Sequence, residues 1–454
     1  MRAIPTLKIS ISGVRGVIGE SLSPTLLTRF AQAFGTYAGA GTIVIGRDPR
    51  TSGEMVRQAV IAGLLSSGCR VLDLGVIPVP TVQLLVRQRR AQGGIAITAS
   101  HNPAEWNALK FVGADGLFLS TGQARELLDI YHQGDYRKAT VNELRQVEKF
   151  DGALEVHIQA ILTAVGKLPH ELHVALDSCN GASSILAPQL LQALGARVTA
   201  INITPNGLFP RGAEPIAENL GALCELVKSS KAEVGFAQDM DADRLAIIDE
   251  HGSPIGEDQT LALATRYVLS KTPGAVVTNL STSQTMDDVA RLFGCALHRA
   301  KIGEANVTEL MQRVSAVIGG EGNGGVIYPL INYCRDSHVA MALVLHLLAE
   351  SGQSVSQLVS SLPRYAIVKE KLHCPSDKIS AALKLVRQEF AGHPQDLRDG
   401  VKVTLPNGWL HVRGSNTEPI IRLMAEANDE AAARAMLASL LEKVRRLLRE
   451  KEES

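Results

Sequence analysis

The chain has 454 residues, enough for about three domains of ordinary size. Its 46 lysines and arginines balance 46 aspartates and glutamates, so the formal net charge of zero excludes a strongly basic nucleic-acid-binding surface and favours a small-molecule partner. The N-terminus lacks an apolar export signal, no apolar run is long enough to span a membrane, and the six cysteines form no CxxC pair. We therefore expect a cytoplasmic protein with reduced thiols and no membrane partner.

The first predicted elements are a glycine-flanked loop and a capped helix. Residues 9–20 read ISISGVRGVIGE, in which Gly13 and Gly16 flank Arg15. Such a loop can bring the Arg15 guanidinium close to an anion, although a single arginine is more often a surface residue. Ser23 and Pro24 are typical of an N-cap and a first helical position, so a helix is expected to begin there.

A pattern of strand, loop, helix, glycine and second strand occurs three times along the chain. The first strands are predicted at residues 42–48, 172–178 and 276–280. Their corresponding end residues, Asp48, Asp177 and Asn279, lie a whole domain apart, which is too long for a solenoid repeat. The pattern predicts three related α/β domains with parallel or mixed sheets.

The pattern changes in the C-terminal part of the chain. An amphipathic segment at residues 379–390 precedes strands at 401–405 and 409–413, which are joined by a predicted turn of Pro406, Asn407 and Gly408. A helix at residues 429–449 follows. We predict a smaller α+β domain here, and domain boundaries at residues 1–153, 154–254, 255–367 and 368–454.

The loop after the predicted strand at residues 94–98 contains Ser100, His101, Asn102 and Pro103. These positions combine a nucleophile, a titratable imidazole and an amide with a proline that prevents a helix from continuing. A plain turn, in which Ser100 and Asn102 bond to local backbone groups, is the alternative interpretation.

Three aspartates alternate after the predicted strand at residues 234–237. Asp239, Asp241 and Asp243 would repel one another at close range, and a hard divalent cation such as Mg²⁺ would relieve that repulsion. A solvated acidic turn is the simpler alternative. An EF-hand calcium loop is disfavoured because Arg244 occupies the position where that loop needs glycine, and because strands rather than helices flank the segment.

The glycine-rich segment at residues 319–325 contains a formal GxGxxG match, but strand-like rather than helical sequence follows it, which argues against a dinucleotide site. Glu321 and Asn323 are better suited to hydrogen-bond a polyhydroxyl ligand, with a plain turn as the alternative.

A last loop at residues 413–422 offers guanidinium groups, hydroxyls and backbone amides that suit a phosphate, although a capped loop before a strand fits as well. Its candidate ligands are Arg413, Ser415, Asn416, Thr417 and Arg422.

Together and in order, these four loops resemble those of the α-D-phosphohexomutase family. TASHNP at residues 98–103 is similar to its phosphoserine loop and DMDADR at 239–244 to its metal loop. GEGNGG at 320–325 is similar to its sugar loop and RGSNTEP at 413–419 to its phosphate loop. The resemblance spans almost the whole chain and implies a heart-shaped enzyme of four domains around a central cleft.

The resemblance also implies a mechanism. Ser100 would carry a phosphoryl group and, with the three aspartates, would bind Mg²⁺. The group would pass to a hexose phosphate and give a 1,6-bisphosphate, which also serves as activator. Catalysis would involve Arg15, His101 and Lys110, and the resemblance implies a set of substrate-binding residues: Arg244, Lys301, Glu304, Glu321 and Asn323.

Departures from the family pattern bear on which sugar phosphate is the substrate. Glu304 stands where phosphomannomutase/phosphoglucomutase members carry histidine, and an acidic residue there resembles phosphoglucosamine mutases, in which it can meet the substrate's ammonium group. Gly325 resembles an archaeal-type branch whose members have either specificity. Asn416 replaces a usual glycine, which should alter the loop's backbone more than its charge. We favour glucosamine phosphate, with mannose or glucose phosphate as the alternative.

Two further classes of function remain open from the sequence. A serine hydrolase using Ser100 and His101 would lack the GxSxG elbow and leave the aspartate cluster unexplained. A non-catalytic sugar-phosphate-binding protein would not need Ser100 at all. A monomer or a homodimer is expected in either case.

Overall fold

The computed structural model describes residues 6–10, 13–415 and 419–449. Within these ranges the strands form four sheets. The first sheet has the strand order β1-β2-β6-β5-β3-β4-β7, with β3, β4, β5 and β7 parallel and β6 antiparallel to β5. Its strands are β1 (Lys8–Ser10), β2 (Gly13–Val17), β3 (Thr42–Arg47), β4 (Arg70–Val76), β5 (Gly93–Ile97), β6 (Trp106–Gly113) and β7 (Val147–Lys149). Its helices are α1 (Pro24–Tyr37), α2 (Gly53–Ser66), α3 (Val79–Gln88) and α4 (Thr121–Gln133).

The second and third sheets have four strands each, in the orders β11-β10-β8-β9 and β13-β12-β14-β15. The second unit comprises α5 (Ala153–Val165), β8 (His173–Asp177), α6 (Leu186–Leu194), β9 (Arg197–Ile201), α7 (Gly221–Ser230), β10 (Val234–Gln238) and β11 (Leu245–Ile248). The third comprises α8 (Glu257–Lys271), β12 (Val276–Asn279), α9 (Thr285–Leu292), β13 (Leu297–Ala300), α10 (Glu304–Arg313), β14 (Ile318–Glu321), β15 (Gly325–Ile327), α11 (Ser337–Ser351) and α12 (Val355–Ser360).

The fourth sheet is antiparallel, with the order β16-β20-β19-β18-β17. Its unit comprises β16 (Ala366–His373), α13 (Ser376–Glu389), β17 (Gln395–Asp396), β18 (Val401–Leu405), β19 (Gly408–Gly414), β20 (Ile420–Ala427) and α14 (Glu430–Arg449). Three α/β units followed by a smaller α+β unit were expected from the sequence, and that expectation is confirmed.

The threefold repeat is visible in the ends of the first strands. The side chains at these ends each accept a hydrogen bond from the backbone N–H two residues later: Asp48 from Arg50 (3.1 Å), Asp177 from Cys179 (2.7 Å) and Asn279 from Ser281 (2.9 Å). The strand after the intervening helix lies parallel to the first in all three units. A short Asp or Asn side chain that closes a turn on its own backbone explains why these residue types recur there.

The predicted functional loops occupy one equivalent position in the three units. In each, a third parallel strand is followed directly by an antiparallel neighbour, as in β5–β6, β10–β11 and β14–β15. The connections are residues 98–105, 239–244 and 322–324. The serine, aspartate and glycine-rich loops therefore all emerge from the C-terminal end of a buried strand, where ligand sites of α/β sheets are usually found.

A single helix, α11, occupies the core between the second and third units. Its residues from Ser337 to Ala349 are all buried, and it packs against α5, α6 and α8. This contact explains why the sequence is apolar at residues 339–349. Among the described residues, no helix is long and apolar enough to cross a membrane.

One predicted turn is shifted by the structure. The hairpin loop consists of Pro406 and Asn407, while Gly408 is the first residue of β19 and pairs with Leu405. A Cβ atom at Gly408 would lie only 1.8 Å from the carbonyl oxygen of Glu426. Glycine is therefore required by the close approach of strand β20, not by the turn itself.

The fourth sheet contacts the third unit through buried polar groups. Lys402 Nζ donates to the carbonyl of Leu280 (2.5 Å), His411 Nδ1 hydrogen-bonds Ser281 Oγ (2.7 Å), and Glu426 accepts from the backbone N–H of Gln284. Burial and the nearby Arg299 lower the pKa of Lys402 to about 7. The interface thus holds an ammonium group in a poorly solvated position.

Substituting Lys402 by methionine tests this burial. Because the pKa of Lys402 is lower in the folded chain than its ordinary value near 10.5, the unfolded chain binds more protons between these values, and the parent gains stability as pH rises through that window. We expect the difference in melting temperature between Lys402→Met and the parent to move in favour of the parent between about pH 6 and about pH 9. The exposed Lys384→Met is the control, and an equal trend in both variants would contradict the assignment.

Candidate active site

Ser100 lies in a rigidly held turn at the end of β5. It is buried and has left-handed backbone geometry, with φ of 51°. Its N–H donates to Thr98 Oγ1 (3.0 Å), and the Thr98 hydroxyl donates to the buried carboxylate of Asp48 (2.6 Å). A non-glycine residue in this conformation is held only when its surroundings fix it, which is typical of functional turns.

Arg50 holds this serine loop and was not anticipated from the sequence. It is 1% exposed and pairs with Asp48 (2.9 Å). Its guanidinium donates to three backbone carbonyls of the loop, those of Ser100 (2.6 Å), Asn102 (2.8 Å) and Pro103 (2.5 Å), and to that of Trp106 (3.1 Å), the first residue of β6. A planar fork with five donors can satisfy several carbonyls at once, which lysine cannot do. The only sequence signal is its position two residues after the strand-end Asp48.

Arg15 and His101 lie beside the serine. Arg15 Nη1 donates to Asn102 Oδ1 (2.5 Å), so the predicted arginine does reach the serine loop. His101 Nδ1 lies 3.5 Å from Ser100 Oγ. Burial and the charges of Arg244 and Arg15 lower the pKa of His101 to about 4, so its imidazole is neutral at neutral pH. In the described part of the chain no carboxylate hydrogen-bonds this imidazole, which leaves a hydrolytic Ser-His-acid triad incomplete.

The three aspartates form a compact, buried cluster. Asp239, Asp241 and Asp243 are each at most 1% exposed, and one oxygen from each lies within 4.8 Å of the others. Asp239 Oδ2, Asp241 Oδ1 and Asp243 Oδ1 are buried without a hydrogen-bond partner. Buried carboxylate oxygens are otherwise almost always satisfied. Three clustered carboxylates that each keep one unsatisfied oxygen fit a hard divalent cation, and their burial rules out a solvated acidic turn.

Three successive peptide carbonyls of this aspartate loop are occupied by hydrogen bonds. Each accepts from a different unit: Met240 from Ala182 N–H (2.8 Å), Asp241 from Val79 N–H (3.2 Å) and Ala242 from Ser337 N–H (3.2 Å). Three carboxylate oxygens of the loop, by contrast, have no hydrogen-bond partner. An EF-hand requires a backbone carbonyl ligand and flanking helices, and β10 and β11 flank this loop instead.

The charges of the cluster are unevenly distributed. Burial, Asp243 and Asp241 raise the pKa of Asp239 well above its usual range. Burial also acts to raise the pKa of Asp241, but the ammonium of Lys110 at 2.6 Å outweighs it and holds that pKa below its usual range. Lys110 belongs to β6 in the first sheet, so this ion pair connects the strand beside the serine loop to the aspartate loop.

Arg335 connects three acidic residues and was also missed by sequence reasoning. It pairs with Asp243 (2.5 Å), Glu304 (2.9 Å) and Glu321 (2.9 Å), one contact through each guanidinium nitrogen. A single half-buried cation thereby joins the aspartate loop, the start of α10 and the glycine-rich loop. Its signal in the sequence is weak, because an arginine just before a helix is usually exposed.

The predicted substrate-binding residues differ in their surroundings. Both oxygens of Glu321 are occupied, Oε1 by Asn279 and Gly303 and Oε2 by Arg335. Asn323 Oδ1 accepts from the Gly325 N–H (3.3 Å) and is partly exposed, and Lys301 is exposed. Arg244 pairs with Glu214 (3.1 Å) and lies 3.7 Å from Asp243 Oδ1.

Glu304 is already paired within the protein. Its Oε2 accepts from Arg335, whereas its buried Oε1 has no hydrogen-bond partner. Burial, only partly offset by Arg335, raises the pKa of Glu304 to about 7. One Glu304 oxygen is therefore unpaired, and the carboxyl group shares its charge with a neighbouring guanidinium.

The phosphate candidates lie on the fourth sheet. Arg413 in β19 and Arg422 in β20 are direct cross-strand partners, so their side chains leave the same face of the sheet. Arg413 Nε pairs with Asp399 (3.1 Å), and the Ser415 N–H donates to the Ile420 carbonyl (2.9 Å). Neighbouring guanidinium groups on one face suit an anion. The remaining candidates, Asn416 and Thr417, lie outside the described residues.

Replacing Arg335 by methionine should destabilise the chain by about 3–5 kcal/mol, because three buried carboxylates would lose their common counterion. The stability of Arg335→Lys should lie between those of the parent and Arg335→Met, since an ammonium cannot reach three carboxylates in this geometry. Thermal and urea unfolding measure the effect. Arg291→Met, which removes an exposed ion pair with Asp288, is the control and should change stability by no more than about 0.5 kcal/mol. Equal losses in both variants would contradict the assigned role.

Four consecutive segments match sequence families described as phosphoglucomutase/phosphomannomutase domains. Residues 7–138, 155–252 and 256–365 match the alpha/beta/alpha domains I, II and III, and residues 371–443 match the C-terminal domain. The matches occur in order and cover most of the chain.

Curated relatives are similar over nearly their whole length. A Methanopyrus kandleri protein named probable phosphoglucosamine mutase is 38% identical over 443 residues, covering 97% of this chain and 98% of the relative. A Thermococcus kodakarensis protein named phosphoglucomutase/phosphomannomutase is also 38% identical, over 94% of this chain and 95% of the relative.

Solved structures share the fold. A phosphoglucomutase/phosphomannomutase family protein from Burkholderia thailandensis superposes with a TM-score of 0.85 at 27% identity, covering 98% of this chain and 96% of the other. An Aspergillus fumigatus N-acetylphosphoglucosamine mutase in complex with GlcNAc-6P and magnesium has a TM-score of 0.59 at 14% identity, covering 97% of this chain and 96% of the other, which establishes similarity of fold alone.

Proposed function

Because the chain belongs to the phosphoglucomutase/phosphomannomutase family, we propose that it is a phosphohexomutase that interconverts glucosamine 6-phosphate and glucosamine 1-phosphate. The observation that carries this proposal is the aspartate cluster, in which three buried carboxylates each keep one unsatisfied oxygen. The Lys110–Asp241 ion pair joins this cluster to the sheet that delivers Ser100. Such an arrangement suits phosphoryl transfer, which depends on positioning and charge neutralisation.

We propose that Asp239, Asp241 and Asp243, together with a phosphoryl group on Ser100, hold Mg²⁺. The unsatisfied oxygens of the aspartates and the hard-oxygen donor set support this choice of ion. When bound, Mg²⁺ would supply positive charge next to the transferring phosphoryl group. A second copy of the chain is not needed for this ligand set, and a monomer or homodimer stays a prediction.

The proposed reaction has two balanced transfers. In the first, the bond between phosphorus and Ser100 Oγ breaks and a bond to the free hydroxyl of the hexosamine phosphate forms, while the hydroxyl proton leaves to a base and Ser100 Oγ gains a proton. The resulting 1,6-bisphosphate turns round. In the second, the bond between its other phosphorus and the sugar oxygen breaks and a bond to Ser100 Oγ forms, while the serine proton leaves and the sugar oxygen gains a proton. A free hexose 1,6-bisphosphate would re-phosphorylate Ser100 in the same way, which accounts for its proposed role as activator.

The charged residues around Ser100 have separate proposed roles. Arg15 and Arg244 supply permanent positive charge near the phosphoryl group, because guanidinium groups stay protonated at neutral pH. Lys110 is the candidate for stabilising the phosphate or for passing a proton. His101, being neutral, can orient the serine oxygen but adds no charge.

We propose that the third unit binds the sugar and that the fourth unit binds the phosphate group that does not react. Glu321, Asn323 and Lys301 are proposed to contact the sugar and Glu304 its amino group. Arg413 and Arg422, with Ser415, Asn416 and Thr417, are proposed to bind the phosphate that does not react. We further propose domain boundaries at residues 1–153, 154–254, 255–367 and 368–454.

Mannose or glucose phosphate is the second candidate substrate class. Two observations favour it: the Thermococcus kodakarensis relative of that name is as similar as the one from Methanopyrus kandleri, and Arg335 already neutralises much of the Glu304 charge. The phosphoserine chemistry is the same for either sugar.

A ³¹P NMR assay tests the reaction. Glucosamine 1-phosphate with Mg²⁺ and trace hexose 1,6-bisphosphate should give the 6-phosphate, and Ser100→Ala should lower kcat to below about one-thousandth because no phosphoryl carrier remains. The exposed Ser229→Ala is the matched control. Activity that survives removal of divalent metal would support a hydrolase instead. A Ser100→Ala variant identical to the parent in every respect would support a binding protein.

Glu304→Gln tests the choice of sugar. If the free Glu304 oxygen meets the substrate's ammonium, kcat/KM should fall about 10- to 100-fold for glucosamine 1-phosphate and stay nearly constant for glucose 1-phosphate, because a charged hydrogen bond is lost only with the amino sugar. Comparing the two substrates provides the internal control. An equal loss with both sugars would assign Glu304 to the support of Arg335 rather than to specificity.

A further inference from the structure

A second cluster of potential metal ligands lies beneath the aspartate loop. His157, Asp336 and His338 are all buried, with ligand atoms within 4.8 Å of one another. Asp336 precedes α11 and receives His157 Nε2 on one oxygen (2.7 Å) and His338 Nδ1 on the other (2.8 Å). None of the three residues belongs to the proposed phosphoryl-transfer site.

The hydrogen bonds to Asp336 fix one nitrogen of each imidazole as a donor. A carboxylate only accepts, so His157 Nε2 and His338 Nδ1 must carry hydrogens. The opposite ring nitrogens hydrogen-bond to hydroxyl groups, His157 Nδ1 to Thr81 Oγ1 (2.8 Å) and His338 Nε2 to Ser183 Oγ (2.5 Å). Every ring nitrogen is used, and no lone pair faces Asp336 for a metal ion. The cluster is complete as a chain of hydrogen bonds.

This chain of hydrogen bonds crosses three units of the fold. Thr81 lies in α3 of the first unit, His157 and Ser183 belong to the second, and Asp336 and His338 to the third. Buried polar networks of this kind stabilise one relative arrangement of the elements that they join. The network ends at the start of α11, directly next to the aspartate loop.

Ser337, between the two network residues Asp336 and His338, makes the contact with that loop. Both its N–H (3.2 Å) and its Oγ (2.7 Å) donate to the carbonyl of Ala242. Ala242 lies between two of the proposed metal ligands and has left-handed geometry, with φ of 59°. A residue other than glycine needs outside support in this conformation. The hydroxyl of Ser337 also accepts from Gln238 Nε2 (2.7 Å).

We propose that His157, Asp336 and His338 form a positioning brace, which holds Ser337 on Ala242 and thereby sets the geometry of the three metal-binding carboxylates. The inference rests on the proposed metal site and adds residues that contact neither metal nor substrate. Outer partners that orient ligands typically change metal affinity 10- to 100-fold when they are removed.

The test is Mn²⁺ binding to the full chain, followed by electron paramagnetic resonance with Ser100 dephosphorylated in every sample. Asp336→Asn should raise the Mn²⁺ Kd about 10- to 100-fold, because an amide cannot accept from both imidazoles through two oxygens. Asp249→Asn is the matched control: Asp249 is a buried aspartate that accepts from the N–H groups of His251 and Ser253 in the turn after β11. Its Mn²⁺ Kd should stay at the parent value.

A second pair of variants covers the case in which Asp336→Asn does not fold. Ser337→Ala should raise the Mn²⁺ Kd about three- to tenfold by removing one donor to Ala242, and Ser337→Thr, which keeps the hydroxyl, should restore binding. If Asp336→Asn or Ser337→Ala folds and binds Mn²⁺ with the parent Kd, the proposed brace is overturned. Stoichiometric zinc that disappears in His157→Gln overturns it as well.

The parent chain and Asp241→Asn separate this inference from the proposed function. A parent that binds no Mn²⁺, or an Asp241→Asn variant that binds it as well as the parent, contradicts the metal site and the brace together. Loss of binding in Asp241→Asn with parent-like binding in Asp336→Asn and Ser337→Ala leaves the metal site intact and overturns the brace alone.

Discussion

Mutual repulsion among three buried carboxylates is the constraint on which the surrounding structure depends. Asp239, Asp241 and Asp243 lie in a poorly solvated position where each negative charge raises the cost of the others. Two cations from separate units partly compensate this charge: Lys110 pairs with Asp241, and Arg335 pairs with Asp243. With both cations in place, three carboxylate oxygens still have no hydrogen-bond partner, which is the observation behind the proposed divalent ion. The electrostatics of the cluster thus account for the long-range ion pairs that converge on it.

The sequence predicted the positions of the candidate residues where these follow a strand directly. Ser100 and the three aspartates follow buried strands directly, and the end of such a strand places them without further information. The threefold repeat could also be recognised from the sequence, because its signal is local: the strand-end residues Asp48 and Asp177 each close a turn on their own backbone.

Sequence reasoning missed the residues that act over long separations. Arg335 lies 92 positions from its partner Asp243, and Arg50 lies 50 positions from Ser100. Arginines next to helices and turns are normally exposed, so the burial of Arg50 and the partial burial of Arg335 follow only from the packing of whole units. At Gly408 the sequence correctly predicted a hairpin turn nearby but not the reason for the glycine. That reason is the close approach of β20, a strand that follows later in the chain.

The anchoring of the aspartate loop has a consequence for motion. Because its carbonyls are bound by Ala182, Val79 and Ser337, one from each α/β unit, rotation of any of these units against the others would break a hydrogen bond at the cation site. These hydrogen bonds therefore tie the first three units to one another at the aspartate loop. The fourth sheet meets the third unit elsewhere, through polar groups such as Lys402 and His411, so a displacement of the fourth sheet would leave the three hydrogen bonds of the aspartate loop intact.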